Sequence, residues 1–252
     1  MADADRMMTQ HTAAPPASRP CRPMSALAAS GLARWLYRTH RLLQVLSGSR
    51  AGLFVYLLCA QPTDPRALAD VRDDPRTRIL PVGSDNPLLQ FFPRPQSVLA
   101  RRFADGSICH AVLVKDRFAG HIWLARGRYD EDEVRCRYIL PGPTTVWDYD
   151  VFVAPAFRAT RAMARMWKGV SSALRIEGVM WTYSRISLFN AASVQTHEQL
   201  GARHLCTAVF LAIGPLQAAL FTRPLRLRLA MGRSAAPPVL ELPLIEADFA
   251  YS

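Results

Sequence analysis

Apolar and polar positions fall into blocks along this chain, and the blocks predict its elements. GLFVYLLCA (52–60) is an unbroken apolar run of strand length, the mark of a strand buried on both faces. SICHAVLVKDRFAGHIWLARG (107–127) sets two apolar runs around a Lys-Asp-Arg turn, with Gly120 close by, and predicts a hairpin. WDYDVFV (147–153), EGVMWTYSRI (177–186) and ARHLCTAVFLAI (202–213) read as three further strands. The charged stretch 128–145 holds room for another at 134–140. Helical spacing covers 97–106, about 160–176, and 190–201, the last with Asn190 as N-cap and Gly201 as its stop. Pro62, Pro65, Pro75, Pro81 and Pro87 cut the remaining stretch into turns and short helices. In TAVFLAIGPLQAALF (207–221), Gly214-Pro215 divides a strand from a short apolar segment.

Strand, helix, strand in the second half implies a parallel pair joined by a right-handed crossover, while the early hairpin is antiparallel. The fold class is therefore mixed α/β: a mostly antiparallel sheet with helices on both faces and one parallel strand-helix-strand unit. Ahead of it, residues 24–47 follow helical spacing, with Leu32, Trp35, Leu36, Leu42, Leu43 and Leu46 on one side and Arg34, Arg38 and Arg41 flanking them. Two readings fit that helix: docking on the domain, which the pattern favours, or resting on a membrane surface with Trp35 at the interface. The expected division is a disordered leader at 1–23, an amphipathic helical extension at 24–50, the main α/β domain at 51–221, and a basic then Pro-rich tail at 222–252.

Charge narrows the partners only a little. The formal net charge is +11 over 252 residues, and lysine occurs only at Lys115 and Lys168, so the remaining basic residues are arginine. Such a chain attracts polyanions: nucleic acid, anionic lipid or phosphorylated ligands. Cys21, Cys59, Cys109, Cys136 and Cys206 form no C-x-x-C pair and stand beside no histidine cluster of zinc spacing, so no metal is expected. No signal-peptide core and no run of about 18 apolar residues occurs. A cytoplasmic protein, or one peripheral to the inner face of the membrane, is the expectation. G-x-S-x-G, Walker and H-E-x-x-H motifs are absent, and aromatics are not interleaved with basic residues as in nucleic-acid platforms.

Two segments carry a resemblance. VFVAPAFRATRAMARMW is similar to V-x-P-x-[FY]-R-G-x-G-[ILV]-[GA], with Val153, Pro155, Phe157 and Arg158 in register. NAASVQTHEQLGARH is similar to N-x-x-S-x-x-[LF]-[YH]-E-K-L-G-[FA], with Asn190, Ser193, His197, Glu198, Leu200 and Gly201 in register. Both resemble the GNAT superfamily of acyl-CoA-dependent N-acyltransferases, over roughly 107–213. The sequence departs from that pattern at Ala159 and Arg161, where the family places glycine, and at Met163, where it places a small residue.

The resemblance implies a GNAT fold and acyl transfer, with acetyl-CoA or another acyl-CoA as co-substrate and a small-molecule or peptide amine as acceptor. Backbone of Val151, Phe152 and Val153 would pair with the pantetheine arm. The loop of Arg158, Ala159, Thr160, Arg161, Ala162 and Met163 would wrap the pyrophosphate at a helix N-terminus. Asn190 is a further candidate contact to the cofactor, beside its role as cap. His197 takes the place of the family's general acid, usually a tyrosine. Strand alternation sets Trp147, Tyr149, Val151 and Val153 on one face, which makes Tyr149 the polar group facing the acceptor and leaves Asp148 and Asp150 as structural partners for arginines. Tyr183 and Ser184 would line the acceptor pocket. Two alternatives stay open: a catalytically weak GNAT-fold binding protein that meets a partner or a membrane through its basic surface, and a basic nucleic-acid-associated protein.

Overall fold

The computed structural model describes residues 23–64, 66–232 and 236–245. The leader assigned to 1–23 lies outside the described residues apart from Pro23, as does the end of the chain from 246. Two helices, α1 (Met24–Ala28) and α2 (Gly31–Leu46), precede the long strand β1 (Ala51–Pro62). The proline-broken stretch holds a strand that the pattern did not predict, β2 (Thr77–Val82). Next come α3 (Gln96–Ala104) and the expected hairpin, β3 (Ile108–Val114) and β4 (Arg117–Ala125). Its turn uses left-handed backbone at Lys115 and Asp116, φ 52° and 59°, as a two-residue hairpin loop with strand-matching twist requires. The charged excursion forms β5 (Arg128–Asp130) and β6 (Arg137–Ile139). After it run β7 (Thr145–Val153), α4 (Ala162–Ile176), β8 (Trp181–Ser187), α5 (Ala191–Gln199) and β9 (Arg203–Ile213) in the predicted order. Three strands follow, β10 (Leu216–Thr222), β11 (Leu225–Met231) and β12 (Val239–Glu241), the last two within the stretch assigned to the tail.

Nine strands make one sheet in the order β11-β10-β9-β1-β8-β7-β4-β3-β2. Only β7 and β8 are parallel neighbours within it, and they are the pair joined across α4. β1 lies between β8 and β9, antiparallel to both. β12, β6 and β5 form a second, small sheet.

Alternation along β1 shows how the layers are built. Tyr56, Leu58 and Ala60 face a core shared with Trp147, Tyr183, Phe210 and Tyr138 of the small sheet. Val55, Leu57 and Cys59 face the helices α1, α2 and α5. On that same side α4 sets Met166, Trp167, Val170 and Leu174 over Val112, Ile122 and Val146. Cys59, Cys109, Cys136 and Cys206 are all buried free thiols.

The helix α2 does dock on β1, but by a different stripe from the one the pattern suggested. Ala33 and Leu36 meet the core, whereas Leu32, Trp35, Leu42 and Leu46 are exposed. The small Ala33 lets the helix lie close to the sheet, and the wider apolar arc is left outside. No helix among the described residues is long and apolar enough to cross a membrane.

Candidate active site

The parallel pair is the natural place for a ligand, because it comes apart. β7 and β8 are in register only at Thr145↔Trp181, Val146↔Thr182 and Trp147↔Tyr183. Past that point β7 stays with β4 and β8 stays with β1. A bulge on β7 accompanies the fork: Tyr149 pairs with Trp123 and Phe152 with His121, so β7 carries one residue more than β4 between them. Asp150 absorbs it with φ at 47°, left-handed backbone that costs a non-glycine residue about 1–2 kcal/mol. Its carboxylate is held in place by Arg94 Nε and Nη2 at 2.9 and 2.6 Å and by Arg102 Nη1 at 2.5 Å.

The bulge corrects the alternation read from sequence. Trp147 packs in the core toward the small sheet, and Tyr149 packs against it, but Val151 joins Val146 in the core beneath α4. The extra residue reverses the sides of the strand, so Val151 does not share the face of Tyr149. Phe152 stacks on His121, ring centroids 5.4 Å apart.

A cleft of about 740 Å³ opens at the fork. Its walls come from β7, β8, α3, α5, the 129–133 segment and the His40 side of α2. Of the catalytic, cofactor and acceptor-pocket candidates, Tyr149, Val151, Ser184, Asn190 and His197 line it, and Tyr183 does not. Phe152, Val153 and the loop Arg158, Ala159, Thr160, Arg161, Ala162 and Met163 do not. Ala162, the first residue of α4, is fully buried, and its N–H is taken by Thr160 Oγ.

Asp148 also lines the cleft, and the sequence reading had set it aside as an arginine partner. It pairs with no arginine among the described residues. It is 3% exposed, and its Oδ2 has no hydrogen-bond partner among the described residues. Burial pushes its carboxyl up to about 7, against the Thr182 and Ser184 hydroxyls, which favour the charged form. A carboxyl poised there exchanges protons at neutral pH. Nothing in the local pattern marks Asp148, because its position depends on where β7 and β8 separate.

His197 is nearly buried, with Nδ1 2.8 Å from the Ser193 carbonyl one turn earlier. That carbonyl accepts, so Nδ1 carries the proton and Nε2 presents a lone pair. Burial holds the ring below its ordinary pKa, opposed by the Ser193 contact. In this tautomer Nε2 is the ring atom left to accept a proton. The Tyr149 hydroxyl donates to Ser107 Oγ, 2.8 Å away, beneath the Arg102 guanidinium at 5.0 Å from its ring. Burial lifts its phenol to about 12, so it stays protonated. Asn190 caps α5, Oδ1 accepting from the Ser193 N–H at 3.1 Å.

The expected phosphate loop ends at α4, whose N-cap Arg161 offers no side-chain cap. Thr160 Oγ takes the N–H of Ala162 at 3.2 Å. Arg158 folds back, its Nε donating to the Val153 carbonyl at 3.2 Å. The entry to this 15-residue helix is exposed from Arg158 to Arg161, and such a helix N-terminus is a place an anion can bind. No group of His, Cys, Asp and Glu among the described residues is arranged to hold a metal.

No family model matches this chain. No curated protein matches it either. Several solved structures are similar to it. One is a functionally unknown conserved protein from Staphylococcus epidermidis ATCC 12228, at 12% identity over 69% of this chain and 67% of that one, TM-score 0.47. A second is named as a GNAT-family acetyltransferase from Novosphingobium aromaticivorans DSM 12444, at 20% identity over 65% and 68%, TM-score 0.42. A third is a tandem GNAT protein of the clavulanic acid biosynthesis pathway, at 15% identity, TM-score 0.45; the match takes in 67% of this chain but only 56% of that protein.

Proposed function

We propose that the protein is an acyl-CoA-dependent N-acyltransferase of GNAT type, which moves an acyl group, acetyl in the simplest case, to an amine held in the cleft. The observation that carries this reading is the fork between β7 and β8 with the Asp148 carboxyl at its apex. An amine arrives as an ammonium and must lose a proton before it can attack; Asp148 takes it. The nitrogen then forms a bond to the thioester carbonyl carbon, its second proton leaves to water, and the carbon–sulfur bond breaks. The acid form of Asp148, near 7, is strong enough to return a proton to the departing thiolate, since an ordinary thiol titrates at about 8.5. The Tyr149 phenol, held at about 12, keeps its proton through the reaction. Unpaired backbone of β7 beyond Trp147 suits the pantetheine arm, which would pair with it as an added strand. The open entry of α4, with Arg158 and Arg161, suits the pyrophosphate.

Thermal denaturation with CoA and acetyl-CoA tests the reading. Ligand binding to the native state alone adds about RT ln(1 + [L]/Kd), roughly 2.7 kcal/mol at a hundredfold excess over Kd. We expect the melting temperature to rise with both. No shift with any acyl-CoA at millimolar concentration would overturn the assignment. Arg158→Ala should weaken CoA binding by about 1.5–3 kcal/mol, the scale of a charge-assisted hydrogen bond. Unchanged affinity in calorimetry would remove Arg158 from the phosphate site.

A further inference from the structure

The end of the sheet away from the fork carries an apolar face that nothing among the described residues covers. Cross-strand register aligns Val55, Val209, Leu220 and Leu227 in one row and Leu53, Leu211, Ala218 and Leu229 in the next. Val55 and Val209 lie in the same cluster as Ala33 and Leu36 of α2. Beyond the helix the face is bare: Ile213, Leu216, Leu227, Leu229 and Met231 are all exposed. Alongside runs the outer stripe of α2, with Leu32, Trp35, Leu42 and Leu46 open to solvent.

Charge indicates what meets this surface. No Asp or Glu occurs between Asp5 and Asp64, or between Glu198 and Glu241, the two stretches that build it. Arg34, Arg38 and Arg41 flank the stripe, while Arg226 and Arg228 alternate with the leucines of β11 and so project from the other face of that edge strand. None of these five makes an ion pair among the described residues, whereas around the cleft Arg94, Arg102 and Arg185 are matched by Asp150, Asp132 and Glu131. Arg34, Arg38 and Arg41, with no ion-pair partner among the described residues, border the exposed stripe of α2, and Arg226 and Arg228 add positive charge at the sheet's edge.

We propose that this face docks on an anionic lipid bilayer, with α2 in the headgroup plane, Trp35 and its leucines in the acyl boundary and the arginines on lipid phosphates. A helix with an apolar stripe, a tryptophan and a basic flank lies at such an interface. A second copy of the chain fits less well. Antiparallel pairing of two β11 edges would set Arg226 and Arg228 of one copy against those of the other, and facing like charges oppose such pairing. The surface is separate from the proposed acyl transfer, and neither depends on the other.

Trp35 supplies the readout. Of the five tryptophans it alone is exposed, at 61%, while Trp123, Trp147, Trp167 and Trp181 are buried. The full-length protein is mixed with vesicles of phosphatidylcholine alone or with phosphatidylglycerol added. It should co-sediment with the phosphatidylglycerol vesicles only, its emission should move to shorter wavelength, and added salt should reverse both. The exposed double change Leu42→Ser with Leu46→Ser should weaken partitioning by about tenfold or more while leaving the urea midpoint unchanged. Equal binding to neutral vesicles, binding to neither, or undiminished binding by the leucine variant would overturn the proposal. So would Trp35 emission already shielded in buffer together with a dimer by light scattering, which would assign the face to a second copy.

Discussion

Asp148→Asn should lower turnover by about 10²–10⁴, the range for a positioned acid or base, and should make the protein more stable above neutral pH. Both effects come from one property. The folded chain holds the Asp148 carboxyl up at about 7, while an unfolded aspartate titrates at about 3.9. Between those values the folded state binds more protons than the unfolded one, so stability falls as pH rises from about 4 to about 7 and stays reduced above. The loss is on the order of 2–4 kcal/mol, three units at 1.36 kcal/mol each being the upper bound. Asparagine carries no charge to bury and removes that loss. Urea titrations at pH 5 and pH 8 check it: the variant's advantage should be small at the first and large at the second. Equal advantage at both would mean that Asp148 is not held protonated, and turnover within a few-fold of the parent would end its role as base.

Asp150→Ala should have the opposite sign, a loss of about 3–5 kcal/mol, the cost of breaking a buried ion pair from one side. The Arg102 side chain is 7% exposed and would keep only Asp132 at 3.4 Å. Burial alone would raise the Asp150 carboxyl, but His121, Arg94 and Arg102 outweigh it and hold it far below the usual carboxylate range. Its contribution is therefore complete above pH 4 and is lost as pH falls below, so the variant should also flatten the acid limb of the stability profile. Asp150→Asn should lose less, because asparagine tolerates the left-handed backbone of the bulge. Double substitution with Arg102→Met should recover part of the loss. If the single variant unfolds at the parent's urea midpoint, the cluster does not hold the bulge.

Much of this molecule was legible in its residues, for reasons that are local. The hairpin shows because two apolar runs meet at Lys115 and Asp116, and α5 shows because Asn190 and Gly201 punctuate it. The strand β2 was hidden by Pro81, which reads as a strand breaker. It is tolerated because β2 pairs only with β3, at the sheet's edge. The Leu-Arg alternation of β11 is a strand signal that the density of arginine disguised as a basic tail. Long-range placement was not legible at all. Asp148 became a candidate only through the fork, and the side on which Val151 lies was set by one extra residue at Asp150, which the strand's period cannot reveal.

The position of β1 governs the order in which the chain can reach its native state. Tyr56 leaves the ribosome early, yet its neighbours in the sheet are Ser187 and Ala208, each more than half the chain away. Until β8 and β9 have been made, β1 has neither ladder, and its alternating apolar faces have no layer to join. Loop-closure entropy must be met before those pairings stabilise anything, so this topology folds late and slowly compared with one built from neighbouring strands. The hairpin of β3 and β4 can form by itself, but β1, an interior strand of the sheet, joins only after most of the chain has been synthesised.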